Sequence, residues 1–461
     1  MKKIKMISFI LMTLIPFLTA SYVHAAKYTF EPRLNINSYY TDNLFQDPDD
    51  EQDDIVTSVT LGLAAGVETK TAGLDAYFDP RYQFYNDFNE LNRWLYSAGL
   101  NGFVDITKNT RLSLYDRFAK RDDQLSSDQI NSVRSGDPTA SLDPTVRQGR
   151  GSYWRNTADI RLEHQFGANN TFFASYNNEL LRNDESDRYE DSDGHRGDIG
   201  VTYYWSPKWG FDISGTYVRG LFDPSDDFIG IPTDDFNAWG GSLRLIRNIN
   251  RRTKGFAEYT YSHLTYDNGP IFSVAPTPGS PEIVLNQDYD VHAPQIGVEY
   301  AIQDDLTLTA SGGWFWRAND ITDNDDGPVI NFLLRKELQR GGVRLEAGAG
   351  YDFSFFTAQN LGFTRFYRVG ITGDYEIFRR FYGDIYGAYR RNEFLDEIPQ
   401  RDDDRYLVGG GFTWQPIRWA SIRLGYALNK VDSNFRANSY TENRFLLNLS
   451  FAPDLPYRAL F

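Results

Sequence analysis

Cysteine is absent from all 461 residues of the chain, so disulfides cannot stabilise the fold and lipid attachment at a cysteine is excluded. Long apolar runs are also missing, because no stretch beyond residue 20 reaches the roughly 18 apolar residues of a membrane-spanning helix. Basic side chains are outnumbered, 47 against 63, and the net charge of −16 argues against nucleic acid as a partner. Stability must therefore come from a large core or from a closed, hydrogen-bonded sheet.

Histidine is scarce as well, with five in the chain, which leaves little material for catalysis. A serine hydrolase needs a serine and a histidine within hydrogen-bond reach. His263 adjoins Ser262, but neighbouring residues on a strand point to opposite faces, and His195 is expected to lie in a loop. We therefore predict that the protein is not an enzyme.

Acidic stretches over residues 47–54 and 323–327 raise the question of calcium binding. The second resembles an EF-hand loop, but aligning Gly327 with the sixth position places Leu333 at the twelfth, where a bidentate glutamate belongs. That motif is rejected, and we predict no metal site and no cofactor. The stretches are interpreted as solvated loops, with loose divalent-cation binding beside anionic lipid left open.

The first 25 residues have the layout of a secretory signal peptide. Three lysines among the first five residues precede an apolar run over residues 6–20, and Val23 and Ala25 are small residues at the two positions that signal peptidase reads. We predict cleavage before Ala26, which leaves one domain over residues 26–461. Because the removed segment holds three lysines and no acid, the mature chain is even more acidic.

The segment near the C-terminus has the clearest alternation in the chain. In residues 443–451 one face is wholly apolar, from Phe445 to Phe451, whereas the other is mostly polar and includes Arg444. This period of two predicts a strand that, in a membrane barrel, meets the first strand to close the sheet. The terminal Phe461 with apolar residues behind it resembles the signal read by barrel-assembly machinery, which is therefore an expected partner.

Strands with the same period fill the chain from residue 26 onward, and two kinds of connection alternate strictly between them. Short turns such as residues 107–110 alternate with longer, acidic or Pro/Gly-rich connections such as residues 43–54 and 220–235. We count about 20 strands, or 18 if one weak hairpin is misread. The sequence thus predicts an all-β fold, a transmembrane antiparallel up-and-down β-barrel with short periplasmic turns and long acidic extracellular loops.

Aromatic side chains near the predicted strand ends support a membrane environment, because amphipathic rings prefer the headgroup level. They include Tyr40, Trp205, Trp209, Trp314, Trp316, Trp414 and Trp419. A soluble propeller or sandwich array would instead need repeats of fixed length, and the spacings here vary. We expect contacts with outer-membrane lipid and lipopolysaccharide in a Gram-negative envelope.

If the apolar faces point to lipid, the opposite faces line a lumen that carries both charges in near balance. The candidate lumen-lining residues are Arg33, Arg81, Arg111, Arg155, Arg161, Asp159, Glu163, Asp212, Glu258, Glu299, Arg344, Glu346, Arg368, Asp374, Asp384, Arg423 and Arg444. They either hold a hydrated substrate by many weak contacts or simply pair across strands to fill a polar interior. Inward tyrosines such as Tyr39 and Tyr85 combine an apolar ring face with a hydroxyl group, and both features suit contact with sugar rings. Because the two charges nearly balance, the sequence gives no ground for predicting ion selectivity.

The opening of the predicted barrel carries a specific pattern: Phe-Glu-Pro-Arg-Leu at residues 30–34, Tyr-Tyr-Thr-Asp-Asn-Leu-Phe at residues 39–45 and Asp-Asp-Ile at residues 53–55. This pattern resembles the putative beta-barrel porin 2 family. Members are outer-membrane barrels often linked to capsule or exopolysaccharide secretion. The resemblance implies polysaccharide export with a periplasmic polysaccharide-export protein as partner, and it transfers no catalytic residue.

We therefore expect a monomeric outer-membrane conduit for exopolysaccharide or capsule polymer, and two alternatives stay open. A general diffusion porin would trimerise and carry an inward-folding constriction loop, for which the aperiodic connection over residues 120–151 is the candidate. A non-transporting surface barrel, acting as adhesin or scaffold, would be plugged by its own Arg–carboxylate pairs.

Overall fold

The computed structural model describes residues 26–122, 150–184, 190–223, 235–269, 271–273, 283–285, 287–321, 323–353, 362–396, 400–452 and 457–460. The predicted signal peptide, most of the connection over residues 120–151, and Phe461 lie outside them. In the described part of the chain, 20 long strands form one closed antiparallel sheet, which confirms the predicted fold and strand count. No helix in this part is long and apolar enough to cross a membrane.

The first eleven strands are β1 (Lys27–Thr41), β2 (Asp54–Glu68), β3 (Ala72–Tyr85), β4 (Arg93–Thr107), β5 (Thr110–Arg121), β6 (Tyr153–Gln165), β7 (Thr171–Asn183), β8 (Asp191–Tyr204), β9 (Trp209–Asp223), β10 (Phe236–Asn248) and β11 (Thr253–Tyr266). A small hairpin of β12 (Ile271–Ser273) and β13 (Ile283–Leu285) lies in the next connection. The barrel continues with β14 (Tyr289–Gln303), β15 (Leu306–Asn319), β16 (Asp325–Leu338), β17 (Gly341–Phe353), β18 (Phe363–Phe378), β19 (Phe381–Phe394), β20 (Arg401–Ile417), β21 (Ala420–Ser433) and β22 (Tyr440–Phe451), followed by the short β23 (Tyr457–Leu460).

The barrel closes where the first strand meets the end of the chain. The segment of β1 from Leu34 to Thr41 pairs with β22, and its first four residues pair with β23. The short β23 therefore continues the edge that β22 begins. Every other pairing in the barrel joins strands that follow one another along the chain, so the topology is up-and-down.

Short and long connections alternate around the barrel, as predicted. Nine connections of two to five residues, such as residues 108–109, lie at one end, which we call the short-turn end. Ten connections of five residues or more, such as residues 42–53, lie at the opposite, long-loop end. Both the start of β1 and the end of β22 lie at the short-turn end.

Several strands run further toward the long-loop end than the sequence indicates. The expectation that His195 lies in a loop is wrong, because it lies within β8 and its Nδ1 is 2.8 Å from the Tyr176 hydroxyl on β7. Residues 325–327 of the second acidic stretch likewise belong to β16. These strand ends are polar on both faces, so the hydrophobic alternation that marks a strand ends before the hydrogen-bonded ladder does.

Contacts between non-adjacent strands identify the inner face of the barrel. The rings of Tyr289 on β14 and Phe363 on β18 have centroids 5.7 Å apart, although three strands lie between them. Such a contact is possible only across the interior. The opposite face carries exposed apolar side chains, among them Leu243 and Leu245, which flank the inward Arg244 on β10.

Candidate functional site in the barrel interior

The inner wall carries ion pairs that span two strands across a glycine. Arg33 on β1 donates from Nη2 to Asp79 Oδ1 on β3 at 3.0 Å, and the pair passes over Gly62 of the intervening β2. A Cβ at Gly62 would overlap the Asp79 carboxylate. The missing side chain therefore lets the guanidinium lie along the wall and reach a carboxylate two strands away.

The same arrangement recurs on β19, β20 and β21. Arg423 on β21 donates to both carboxylate oxygens of Asp384 on β19, with 2.9 Å between Nη2 and Oδ2. The pair passes Gly411 of β20, where a Cβ would lie 3.0 Å from the Arg423 guanidinium carbon. Arg–carboxylate forks of this kind fix both partners in orientation.

The other predicted residues mostly pair with neighbours on the same strand or the next one. Glu258 accepts from Arg244 Nε at 2.6 Å, and Glu299 accepts from Lys254 Nζ at 3.2 Å. Further contacts join Arg81 to Thr60, Arg111 to Asp105, Arg155 to Glu179, Arg161 to Glu163, Arg344 to Glu346 and Arg444 to Glu442. Asp159, Asp212, Arg368 and Asp374 share the inner face by strand parity. That this set lines a transport pathway stays a prediction.

Exposure of the inner charges falls from the short-turn end to the long-loop end. Near the short turns, the side chains of Arg111 and Glu163 are each 52% exposed. Near the long loops, Arg317 is 1% exposed and Arg444 is 2% exposed. The interior is thus open to water at one end and filled with packed side chains at the other.

One packed group, the Glu442 cluster, lies where β22 meets β1. The fully buried Glu442 carboxylate accepts hydrogen bonds from the Thr41 hydroxyl at 2.7 Å, the Gln46 amide at 3.1 Å and Arg444 Nε at 2.6 Å. Gln46 belongs to the first long loop, so this carboxylate holds that loop against the inner wall. A buried charge needs such partners because its desolvation is costly.

Arg150 joins the Glu442 cluster from the far end of the connection over residues 120–151. Its Nε donates to the Leu44 carbonyl at 3.0 Å, and its Nη2 lies 3.9 Å from Glu442 Oε1. The side chain is almost fully buried. The end of this connection is therefore anchored inside the barrel.

The second group, the Arg317 cluster, fills the interior beside β14, β15 and β18. Arg317 Nη1 donates to Asp396 Oδ1 at 2.7 Å, and its guanidinium lies 4.1 Å from the ring centroid of Tyr289 and 4.6 Å from that of Phe363. Asp396 also accepts from the Phe363 backbone N–H at 2.7 Å. Cation–π contacts gain strength where water is excluded, so this cluster ties the connection after β19 to β14, β15 and β18 at the long-loop end.

Sequence reasoning missed the apolar part of this interior. Inward positions near the long loops carry buried side chains that pack together, among them Phe222, Phe236, Leu264, Phe315 and Phe363. Strand parity already assigns several of them to the inner face, and large apolar residues on a predicted polar face were the available signal. Among the described residues, this side of the long-loop half is therefore packed as a small apolar core.

The described interior is lined by hydrogen-bonding side chains, such as those of Arg33, Asp79 and Glu258. Within the described residues, no group of three metal-binding side chains is present. Two histidines lie on the outer face: His263 Nδ1 is 2.9 Å from Asp290 Oδ1, and His292 Nδ1 is 2.6 Å from the Tyr259 hydroxyl. The geometry suits passage or binding of a polar solute.

A closed sheet of 20 strands, apolar outside and charged inside, defines a β-barrel of the outer-membrane type. Within that class, the resemblance seen in the first strand is confirmed: the model of the family described as Putative beta-barrel porin 2 matches residues 19–202. The match covers the first eight strands almost completely. No curated protein matches the chain.

Solved structures of outer-membrane receptors share the barrel. The siderophore receptor PirA from Acinetobacter baumannii superposes with a TM-score of 0.51 at 8% identity, covering 94% of this chain and 81% of its own. A mutant of the ferric enterobactin receptor PfeA from Pseudomonas aeruginosa, in complex with enterobactin, gives 0.51 at 9% identity, covering 92% and 81%. At such identities the likeness concerns the fold alone.

Proposed function

We propose that the protein is an outer-membrane conduit for an exported polysaccharide, which enters at the short-turn, periplasmic end. The observation that carries this proposal is the partly exposed inner wall in which opposite charges pair with each other, as Arg33 does with Asp79 and Arg244 with Glu258. Such a wall offers many hydrogen-bonding groups without a field of one sign. It suits a hydrated chain of hydroxyl groups better than it suits an ion.

The family resemblance supports the direction and the cargo of transport. Barrels of the matching family are often linked to capsule or exopolysaccharide secretion, and this chain has the porin-type barrel that such a role requires. A periplasmic polysaccharide-export protein then delivers the polymer to the short-turn end. The barrel acts as a monomer, and movement through it is passive, driven by synthesis on the periplasmic side.

The long-loop end must open for the polymer to leave. The Glu442 and Arg317 clusters hold the first long loop and the connection after β19 inside the barrel. The resting conduit is therefore narrow at its long-loop end. A polymer that arrives from the short-turn end replaces contacts within these clusters by contacts with its own hydroxyl groups. The proposed state is therefore a funnel that is closed at rest and opens under load.

Single-channel recording and a secretion assay test this proposal together. The mature chain is reconstituted in planar bilayers, and surface polysaccharide is measured in a deletion strain complemented with the wild-type gene. Brief openings in the bilayer and loss of polysaccharide in the deletion strain are expected. Steady large conductance with normal secretion would identify a general diffusion porin instead, and silence at every voltage with normal secretion would leave a non-transporting scaffold.

A further inference from the structure

The short-turn end of the barrel is basic, although the chain as a whole is acidic. The nine short turns together hold nine lysines and arginines but only two acidic residues, Asp304 and Asp305. At the opposite end, the first long loop alone holds six acidic residues and no basic one within residues 42–53. The charge is thus sorted between the two ends of the barrel, and each end meets a different lipid leaflet.

The basic residues of the turns follow directly on the apolar outer wall. Arg251 comes two positions after Ile249, and Arg379 comes immediately after Phe378; both apolar side chains are more than half exposed on the barrel surface. An exposed apolar residue precedes the turn cation in the same way in six turns, and these cations form what we call the turn belt: Lys108, Lys208, Arg251, Arg340, Arg379 and Arg418. A cation just beyond lipid-facing apolar surface is the placement in which lysine and arginine reach headgroups.

Aromatic rings accompany the cations at this end. Arg247 lies on the outer face of β10, on the same side as Leu245, with its guanidinium 5.0 Å from the Trp209 ring centroid. The Trp209 ring stacks on Trp205 at 6.4 Å. The contact between Arg247 and Trp209 is typical of the interfacial zone of a bilayer, where aromatic rings lie at headgroup level beside cationic side chains.

The aromatic belt at the long-loop end has the opposite chemistry. There Trp314 Nε1 donates to Asp326 Oδ2 at 2.6 Å, and the Tyr389 hydroxyl donates to Asp404 Oδ1 at 2.6 Å. These rings donate to carboxylates, and the lysine near a ring at this end, Lys430 at 5.9 Å from the Tyr406 centroid, itself lies 3.6 Å from Asp432. The difference shows that the turn belt is not a general property of the barrel surface.

We propose that the turn belt binds the anionic headgroups of phospholipids in the leaflet at the short-turn end. Neighbouring turns are roughly 12 Å apart, from about 4.8 Å per strand at a tilt of about 40°. This spacing is close to the Debye length of about 10 Å at 0.1 M salt, so neighbouring cations act on the same patch of lipid surface. At about 1 M salt, where that length is near 3 Å, the preference is lost.

Lipid is a better occupant than a soluble polyanion because of where the cations lie. They follow outward apolar side chains, next to the bilayer, whereas the inner mouth beside them carries paired charges such as Lys254 with Glu299. Within the described residues, Arg251 and Arg379 form no ion pair, so they are available to a phosphate. The inference does not depend on which solute the barrel transports.

A lipid-retention experiment tests the turn belt. The full mature chain is folded into vesicles of equal phosphatidylcholine and phosphatidylglycerol, extracted in mild detergent, and the retained lipids are counted by mass spectrometry. Each lysine or arginine near an anionic lipid surface strengthens binding to that surface by about fivefold. We expect phosphatidylglycerol to be enriched on the wild type, and the enrichment to fall at least about threefold in the double variant Arg251→Gln, Arg379→Gln.

The matched control removes two cations from the other end, as Lys430→Gln with Arg436→Gln, and should keep the wild-type enrichment. Both variants must migrate as the heat-modifiable folded species, which separates lost binding from lost folding. Equal retention of both lipids by the wild type, or equal loss in both variants, overturns the proposal. So does a result in which soluble polyglutamate blocks the pore from the short-turn side while vesicle charge has no effect.

Discussion

Arg317 on β15 and Asp396 in the connection after β19 meet inside the barrel, with 2.7 Å between Nη1 and Oδ1. The two residues are 79 positions apart in the chain, and Arg317 is fully enclosed. Because Asp396 also accepts from the Phe363 backbone, one carboxylate ties the connection after β19 to both β15 and β18. We therefore expect the pair to contribute to stability and, in the proposed conduit, to restrict access at the long-loop end.

Replacing Asp396 with alanine is expected to leave the buried guanidinium with only the more distant Asp325, at 3.4 Å. Removing one partner of a buried ion pair costs about 3–5 kcal/mol. We expect a lower unfolding temperature in the heat-modifiability assay and longer channel openings. Asp304→Ala, which removes the exposed partner of Arg252, is the control and should change neither property. Unchanged openings in the Asp396 variant would disprove its role in access.

A side chain at Gly62 is expected to displace the Asp79 carboxylate that Arg33 binds, because a Cβ there would overlap it. Gly62→Ala should lower the free energy of unfolding by about 1–3 kcal/mol, the usual cost of overpacking. Gly312 is the matched control, since a Cβ there would meet nothing within 4 Å. Gly312→Ala should be neutral or raise stability by about 0.4–1 kcal/mol through the unfolded chain. Urea titration measures the free energy of unfolding of both variants. An equal change in the two would contradict the explanation that a side chain at Gly62 displaces Asp79.

The sequence predicted the barrel well because period-two alternation is a local property. It located the 20 strands and the strict order of short and long connections, and it assigned Arg33 and Asp384 to the inner face. It could not predict that Arg33 passes over Gly62, since that contact depends on the register of three strands. Nor did it predict the position of Arg150, because a loop without periodicity leaves no pattern to follow. The role of the inward charges stays a prediction.

Ion selectivity should appear when the positive partners of the wall are removed. The double variant Arg33→Gln, Arg423→Gln removes two positive charges beside Asp79 and Asp384, so cation preference should rise. The reversal potential in a tenfold KCl gradient measures this. The charge-neutral variant Arg33→Gln, Asp79→Asn keeps the balance and should stay near the wild type. No difference between the two variants would show that these groups lie outside the conducting path.

Glu442→Ala should release the first long loop from the wall. The buried carboxylate holds Gln46 and Thr41, and its loss leaves the buried Arg444 cation without its 2.6 Å partner. We expect faster proteolysis within residues 42–53 and a cost of about 3–5 kcal/mol. Asp432→Ala removes an exposed carboxylate nearby and serves as control. Loop cleavage at the same rate in both variants would contradict the anchoring role.

The first long loop is also expected to withstand mild acid. The backbone N–H groups of Asp49 and Asp50 donate to the Asp47 carboxylate and hold its pKa below the ordinary value of 3.8. Because the folded pKa is depressed, the stabilisation is present above the unfolded pKa and is lost only as the pH falls through the lowered value. Carbon NMR of labelled aspartate side chains in micelles measures the titration. A midpoint above 3.8 would contradict these hydrogen bonds.

The hydrogen bond from the Ser450 hydroxyl to the Asn35 side chain, at 2.6 Å, joins residues 415 positions apart. Contacts between residues so far apart in the chain form slowly, because the entropic cost of closing the long loop comes before the favourable free energy of the contact. Until then, the first and last strands both present unpaired edges that invite aggregation. The sheet of this chain therefore closes only when its two ends meet, and these two edges stay exposed until then.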